Sequence, residues 1–196
     1  MNDQVLLIAT SNQGKLTEIK ECLSGFFIRI LNLRDLHISE IFPEQGNTFL
    51  ENARGKSIFY GRDWPGLTLA EDSGLEIEIL KGEPGVHSAR YAGSNATDEQ
   101  NIEKILSKLS GIPHDQRKAR FICCMVLSQK GKVIKEIQES VEGFITTEKK
   151  GKNGFGYDPV FYHPPLGKTF AQLSKSEKNR ISHRGKALKK LRDFLT

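Results

Sequence analysis

The chain has little cysteine, one tryptophan and no long apolar run. Its three cysteines are Cys22, Cys123 and Cys124, and the last two are adjacent. This count gives no disulfide framework and suits a reducing cytoplasm, which is where we expect the protein to be. The five histidines are scattered and no Cys or His cluster has zinc spacing, so a zinc site is not expected.

Membrane and secretory classes also lack their sequence signals. The longest apolar runs, such as 5–9 and 121–127, are far too short to span a bilayer. The N-terminus has no basic segment ahead of a long apolar one, so we expect no secretory signal and no membrane partner. With 37% hydrophobic and 27% charged residues, residues 1–196 are expected to form a single globular domain, with two lobes.

The net charge of +5 hides an asymmetry along the chain. Residues 149–192 contain twelve Lys or Arg and two acids, whereas residues 35–83 contain ten acids and four Lys or Arg. One interpretation is a basic arm for nucleic acid. Another is an acidic metal-binding wall that faces a basic phosphate-binding wall, and a third is solvated charge without a site.

Strand-like and helix-like segments alternate along the chain. Patterns of apolar residues predict strands at 5–9, 26–31, 67–70 and 75–79, and a hairpin of 119–128 with 132–145 around Lys130-Gly131. Helices are predicted after Lys15 as far as about Gly25, from Thr48 to around residues 61–65, from Thr97 to about Leu109, and at the C-terminus. This alternation favours an α/β fold with a mixed sheet.

The segment Thr10-Ser11-Asn12-Gln13-Gly14-Lys15 lies between a predicted strand and a predicted helix. Amides and the dipole at a helix N-terminus favour an anion, and Lys15 adds a full positive charge. The segment is not a Walker A loop, because the earlier glycine is missing and Leu16 replaces the Ser or Thr. An ordinary turn explains it equally well.

A second candidate is Glu71-Asp72-Ser73-Gly74, which we predict to be a turn after an apolar strand. Carboxylates hold Mg²⁺ through oxygen, and one can accept a proton from an attacking water. Glu44 and Glu51 are further acids within possible reach. A solvated turn and simple helix capping are the structural alternatives.

Two further segments carry candidate ligands. The loop Gly154-Phe155-Gly156-Tyr157-Asp158-Pro159 offers aromatic rings on an open backbone, which suits stacking on a base. Its alternative is a hairpin loop with aromatics tucked into the core. Among residues 177–184, Lys178 suits phosphate, and His183 and Arg184 offer donors for a carbonyl oxygen or phosphate. This segment alone is more typical of an exposed basic helix start.

Taken in order, these motifs form a set with two others, Gly46-Asn-Thr-Phe-Leu-Glu-Asn-Ala53 and Pro84-Gly-Val-His-Ser-Ala-Arg-Tyr-Ala-Gly93. The set resembles the inosine triphosphate pyrophosphatase family from about Leu6 to Leu191. The resemblance implies an elongated α/β homodimer with a mixed central sheet flanked by helices and a nucleotide-binding cleft between two lobes. It also implies Mg²⁺-dependent hydrolysis of inosine, deoxyinosine or xanthosine triphosphate to monophosphate and pyrophosphate, which removes deaminated purines from the nucleotide pool.

The same resemblance assigns roles to residues of this chain. Asp72 is expected to accept the proton, and Glu44 and Asp72 to lie at the metal. The expected phosphate or sugar contacts are Thr10, Ser11, Asn12, Gln13, Gly14, Lys15, Ser73 and Lys178. The expected base pocket is Phe155, Gly156, Tyr157, Asp158, His183 and Arg184. Glu71 stands where the family often has Asp.

Two other functions fit parts of the sequence. A non-catalytic nucleic-acid-binding protein would use the basic C-terminal segment but leaves Glu44, Glu71 and Asp72 unexplained. A related pyrophosphatase would act on pyrimidine or modified nucleotides through a different base pocket. Our leading interpretation predicts no stable nucleic-acid complex, and cleavage of inosine and xanthosine triphosphates far faster than ATP. Donors of Arg184 and His183 pair with the 6-oxo group of these bases and not with the 6-amino group of adenine.

Overall fold

The computed structural model describes residues 5–27 and 29–196. Strands and helices alternate through these residues, which confirms the α/β prediction. The strands are β1 Val5–Ala9, β2 Arg29–Asn32, β3 Leu67–Ile77, β4 Lys118–Gln129, β5 Lys132–Ile145, β6 Phe161–His163 and β7 Lys168–Thr169. The helices are α1 Gln13–Cys22, α2 Phe49–Gly61, α3 Asp98–Lys108, α4 Lys175–Ile181 and α5 His183–Leu195.

The sheet is mixed, as predicted. Among the described residues it has seven strands, in the order β2-β1-β3-β4-β5-β6-β7. β1 pairs in parallel with β2 and with β3, whereas β6 pairs antiparallel with β5 and with β7. The predicted hairpin of β4 and β5 is present, and both connecting residues, Lys130 and Gly131, have positive φ, the conformation that a type I′ hairpin turn requires.

Two predicted elements differ from the structure. Glu71-Asp72-Ser73-Gly74 is not a turn, because β3 runs without interruption from Leu67 to Ile77. The predicted strand at 26–31 is found as Arg29–Asn32, and Ile28 lies outside the described residues. A buried strand tolerates the two acids because the surrounding side chains pair with them, a tertiary effect that strand propensity does not capture.

The chain forms two compact units, and β3, β4 and β5 contribute residues to both. The first unit contains the described residues up to Asp72, together with Cys123–Glu139 and Arg184–Thr196. In its core, α1 and α5 pack against the apolar side chains of β1, β3 and β4. The buried residues include Leu6, Ile8, Leu16, Ile19, Leu23, Leu67, Leu69, Met125, Leu127, Leu188 and Leu191.

The second unit contains Ser73–Ile122 and Ser140–His183. Its core joins α3 to the other halves of the long strands and to the segment around β6. The buried residues include Leu75, Ile77, Ile102, Ile105, Leu109, Val141, Ile145, Val160 and Phe161. The predicted cleft between two lobes and the prediction of a single domain stay predictions. Within residues 5–27 and 29–196, no helix combines the length and the apolar character that crossing a bilayer requires.

Candidate active site

The polar turn after β1 is organised by Asn12, the N-cap of α1. The Lys15 amide donates to Asn12 Oδ1 at 3.0 Å, and the Asn12 amide donates to Thr10 Oγ1 at 3.2 Å. These bonds hold the polar segment against the N-terminus of α1. The first helical turn and the positive end of the helix dipole therefore face this segment. The predicted phosphate segment therefore has the local structure that suits an anion.

This segment opens onto a cavity of about 350 Å³ within the first unit. The predicted residues on its walls are Thr10, Ser11, Gln13 and Glu44. Lys56 and Tyr60 of α2 also line it, as do most residues between Asn32 and Phe42. A larger cavity of about 750 Å³ in the second unit contains none of the predicted site residues, so the chemistry favours the smaller one.

Asp72 lies on β3, is 6% exposed, and contacts two side chains of α2. Lys56 Nζ lies 3.1 Å from Asp72 Oδ1, and Asn52 Nδ2 donates to Asp72 Oδ2 at 3.1 Å. Asn52 and Lys56 are four residues apart, which puts them on the same face of the helix. One face of α2 therefore holds the carboxylate predicted to accept a proton.

Lys56 also links Asp72 to Glu44. Its ammonium lies 2.7 Å from Glu44 Oε1 as well as 3.1 Å from Asp72 Oδ1. Burial lowers the pKa of Lys56, but the charges of Asp72 and Glu44 outweigh burial and raise it above its ordinary value. Lys56 is therefore protonated at neutral pH, and oxygens of both predicted metal ligands converge on a point where a positive charge sits.

The donor set fits magnesium in type and number. Mg²⁺ is usually held by one or two carboxylates together with water and substrate phosphate oxygens. Glu44 and Asp72 supply two such carboxylates. Within the described part of the chain, no group of three His, Cys, Asp or Glu side chains lies together as a metal site would require.

Glu71, next to Asp72, has different partners because successive strand residues face opposite sides of a sheet. Glu71 is 1% exposed. Arg184 Nε donates to its Oε2 at 2.6 Å, and Lys15 Nζ lies 2.9 Å from its Oε1. Burial raises the pKa of Glu71, but Arg184 and Lys15 outweigh burial and hold that pKa well below its usual range. Glu71 is therefore a buried anion.

The contacts with Glu71 involve two residues, Arg184 and Lys15, that the resemblance assigned to the nucleotide. Arg184 is 2% exposed and also donates through Nη1 to Glu18 at 2.5 Å. Lys15 and Arg184, predicted to contact phosphate and base, both pair with Glu71 in this structure. Their nucleotide contacts stay predictions, and Glu71 connects the phosphate segment to the start of α5.

In the second unit the predicted base loop is stabilised by a buried carboxylate. Asp158 is 2% exposed. Its Oδ2 accepts the Phe155 amide at 3.0 Å and lies 2.5 Å from Lys178 Nζ. Lys178 Nζ lies 4.7 Å from the centroid of the Phe155 ring. The structure thus brings together Phe155, Asp158 and Lys178, and Lys178 is buried rather than exposed as its basic segment suggested.

Two other predicted base-pocket residues lie in the core of this unit. Tyr157 is 5% exposed and its hydroxyl donates to the Ser88 carbonyl at 2.7 Å; burial raises the pKa of Tyr157. His183 is 4% exposed and its ring stacks on Phe121 with centroids 4.8 Å apart. Ser73 is half-buried and follows Asp72 on β3. Contacts of these residues with a nucleotide stay predictions.

Three residues of the first unit that sequence reasoning missed contact predicted site residues. They are Glu18, Asn52 and Lys56. Spacing held a signal for two of them, since Asn52 and Lys56 stand four apart in a helix that follows a clear cap. Nothing in the sequence indicated which face of α2 is directed at Asp72, because that depends on how α2 packs.

Comparison with known proteins identifies the family. The family model described as Ham1 family matches residues 6–194. A dITP/XTP pyrophosphatase of Bacillus subtilis is 46% identical over 189 residues, which cover 96% of each chain. The solved structure of the Staphylococcus aureus Ham1 protein is 43% identical, with a TM-score of 0.88 and 98% of each chain covered. A nucleoside-triphosphatase / dITP/XTP pyrophosphatase from Mycobacterium abscessus is 34% identical, with a TM-score of 0.75 and 95% of this chain and 98% of the other covered. The predicted resemblance is confirmed, and the chain belongs to the Ham1 family.

Proposed function

We propose that the protein hydrolyses non-standard purine nucleoside triphosphates, namely inosine, deoxyinosine and xanthosine triphosphate, to the monophosphate and pyrophosphate. The observation that carries the proposal is the convergence of Glu44 and Asp72 on one cationic position. Glu44 and Lys56 line the same cavity as Thr10 and Ser11. Oxygen ligands for a metal and a helix N-terminus for an anion are what triphosphate hydrolysis requires.

Roles for the residues of the first unit follow from their contacts. Mg²⁺ bound by Glu44 and Asp72 would neutralise phosphate charge in this cavity. Asp72 accepts the proton of the attacking water, since a carboxylate held by Asn52 and Lys56 has a fixed orientation. The first-turn amides of α1 and the side chains of Thr10 and Ser11 bind phosphate oxygens.

The second unit supplies the base-binding surface. The Phe155 ring stacks on the purine, and the nearby Lys178 ammonium adds positive charge. The resemblance also assigns the donors to the 6-oxo group: His183 of this unit, and Arg184, which the first unit contains and which pairs here with Glu71 and Glu18. The names of the relatives support the choice of substrate, since those proteins are called dITP/XTP pyrophosphatases. A homodimer and the lack of a stable nucleic-acid complex are proposals that rest on the family resemblance. A cytoplasmic location is a proposal that rests on the small number of cysteines.

A panel of nucleoside triphosphates tests this function. With Mg²⁺ present, inosine, deoxyinosine and xanthosine triphosphates are expected to release pyrophosphate far faster than ATP, because the 6-amino group of adenine meets donors rather than an acceptor. The measurement is pyrophosphate release at equal substrate concentration, with product monophosphate identified by chromatography.

Three outcomes would contradict the proposal. A preference for pyrimidine triphosphates would assign the protein to a different nucleotide class. Full activity in excess chelator would show that the reaction does not require magnesium. Strongly salt-dependent binding to DNA or RNA, without any pyrophosphate release, would favour the nucleic-acid-binding alternative.

The proposed metal ligands give a second prediction, which is tested by metal binding rather than by catalysis. Lys56→Gln is expected to tighten Mg²⁺ binding to the nucleotide-free protein by at least about tenfold. A unit positive charge about 4 Å from a divalent cation opposes its binding by about 2 kcal/mol in bulk water and about 8 kcal/mol at the effective dielectric near a protein surface, and about 1.4 kcal/mol is tenfold. Titration calorimetry of each variant measures the dissociation constant.

Lys15→Gln is the matched control, because it also removes one positive charge from the first unit. Lys15 contacts Glu71 and not Glu44 or Asp72, so its removal is expected to change Mg²⁺ affinity less. Equal affinities in the wild type and in Lys56→Gln would show that the metal does not bind between these carboxylates.

A further inference from the structure

We propose that Asp98, the first residue of α3, is a positioning residue for the nucleotide base. It acts by holding the loop Gly154–Asp158 through the backbone amide of Gly156. The inference rests on the proposed function, in which the Phe155 ring of this loop stacks on the purine. Asp98 is not among the residues to which the sequence motifs assign a role.

The contact is a short hydrogen bond between segments distant in the chain. The Gly156 amide donates to Asp98 Oδ2 at 2.6 Å. The start of α3 does not use the Asp98 carboxylate as its cap, because Thr97 and Gln100 form a complete capping box. Thr97 Oγ1 accepts the Gln100 amide, and Gln100 Oε1 accepts the Thr97 amide. The Asp98 carboxylate thus bonds the loop instead, as a charged acceptor, which makes a stronger bond than a neutral one.

The loop needs such an anchor because glycines flank Phe155. Gly154 has φ +78 and Gly156 has φ +60, and glycine gives the backbone more freedom than any other residue. The Phe155 amide donates to Asp158 Oδ2 at 3.0 Å, which fixes the peptide unit before the ring. The bond to Asp98 fixes the peptide unit after it.

The two anchors differ in their origin. Asp158 belongs to the loop itself, whereas Asp98 is a fixed point outside the loop on a helix whose Ile102 and Ile105 lie in the core of the second unit. Without Asp98, the Gly156 peptide can rotate and the Phe155 ring loses its fixed orientation. Base binding then weakens while the phosphate and proton-accepting residues of the first unit stay unchanged.

The adjacent residue provides a matched control. Glu99 pairs with Lys149, which lies outside the loop. Asp98→Ala and Glu99→Ala each remove one negative charge from the first turn of α3, so their effects on the helix dipole are alike. Asp98→Asn keeps an oxygen that accepts the Gly156 amide.

The test compares steady-state kinetics of these three variants with the wild type, using inosine triphosphate. Asp98→Ala is expected to raise KM on the order of tenfold, the loss that one charge-assisted hydrogen bond produces, with kcat within about twofold. Asp98→Asn should recover most of the affinity, and Glu99→Ala should resemble the wild type. Inhibition by inorganic tripolyphosphate, which has no base, should be equal in all four proteins.

Two results would overturn the inference. One is a KM for Asp98→Ala no higher than that for Glu99→Ala, and the other is weakened tripolyphosphate inhibition in Asp98→Ala alone. If the wild type cleaves no nucleoside triphosphate, the proposed function fails separately. Amide hydrogen exchange then tests the anchor itself, because Gly156 should exchange faster in Asp98→Ala than in Glu99→Ala, and equal rates would refute it.

Discussion

Asp72→Asn is expected to reduce kcat by ~10²–10⁴-fold, the usual contribution of a general base, while the fold stays intact. The amide has the shape of the carboxylate and still accepts a hydrogen bond from Lys56. It does not take a proton from water at neutral pH, and it offers the metal no full negative charge. Loss of turnover without loss of structure is therefore the signature of this role.

The measurement is pyrophosphate release from inosine triphosphate under saturating substrate and metal. Asp63→Asn is a suitable control, since Asp63 is an acid of the same unit whose side chain is 87% exposed and pairs with its exposed neighbour Arg62. Far-ultraviolet circular dichroism and thermal unfolding establish that both variants are folded. A folded Asp72→Asn protein with more than about a tenth of wild-type kcat would remove Asp72 from the reaction.

Glu71→Gln is expected to lower the free energy of unfolding by about 3–5 kcal/mol, the cost of removing one partner from a buried ion pair. The side chains of Glu71 and Arg184 are 0% and 3% exposed, so water does not replace the lost charge. Arg184 keeps its contact with Glu18, and Lys15 loses its carboxylate partner. The substitution therefore leaves positive charge buried with too little compensation.

Urea unfolding monitored by circular dichroism measures the loss. Glu136→Gln is the control, because the pair of Glu136 with Arg54 is exposed and such pairs contribute at most about 1 kcal/mol. A loss for Glu71→Gln no larger than that of the control would show that Glu71 does not hold these cations.

The same pair gives stability a definite pH dependence. The pKa of Glu71 in the folded protein lies well below its ordinary value of 4.5. Its contribution is therefore complete above about pH 4.5 and is lost as pH falls through the folded-state pKa. Glu71→Gln has no ionisable group at this position. Its free energy of unfolding should therefore fall less steeply than that of the wild type as pH is lowered below about 4.5.

Local sequence patterns predicted most helices and strands, because helix caps, hairpin turns and hydrophobic periodicity each depend on a few neighbouring residues. Thr97 and Gln100 cap α3 as the sequence indicated, and Lys130-Gly131 forms the hairpin turn. The prediction was wrong at Glu71-Asp72-Ser73-Gly74, because two acids and a Ser-Gly pair are typical of a turn but the segment is part of β3. The strand persists there because Arg184, Lys15, Asn52 and Lys56 satisfy the two carboxylates.

The α/β class, the order of most elements, the family and the segments that carry the chemistry could all be predicted before the structure. They follow from hydrophobic periodicity, capping and motifs, which act over a few residues. The partner of each charge became visible in the folded protein: Lys56 with Glu44 and Asp72, Arg184 with Glu71, and Asp98 with the Gly156 amide. Such pairs join residues from 12 to 113 positions apart, and packing of whole helices and strands, rather than local sequence, brings them within hydrogen-bond distance.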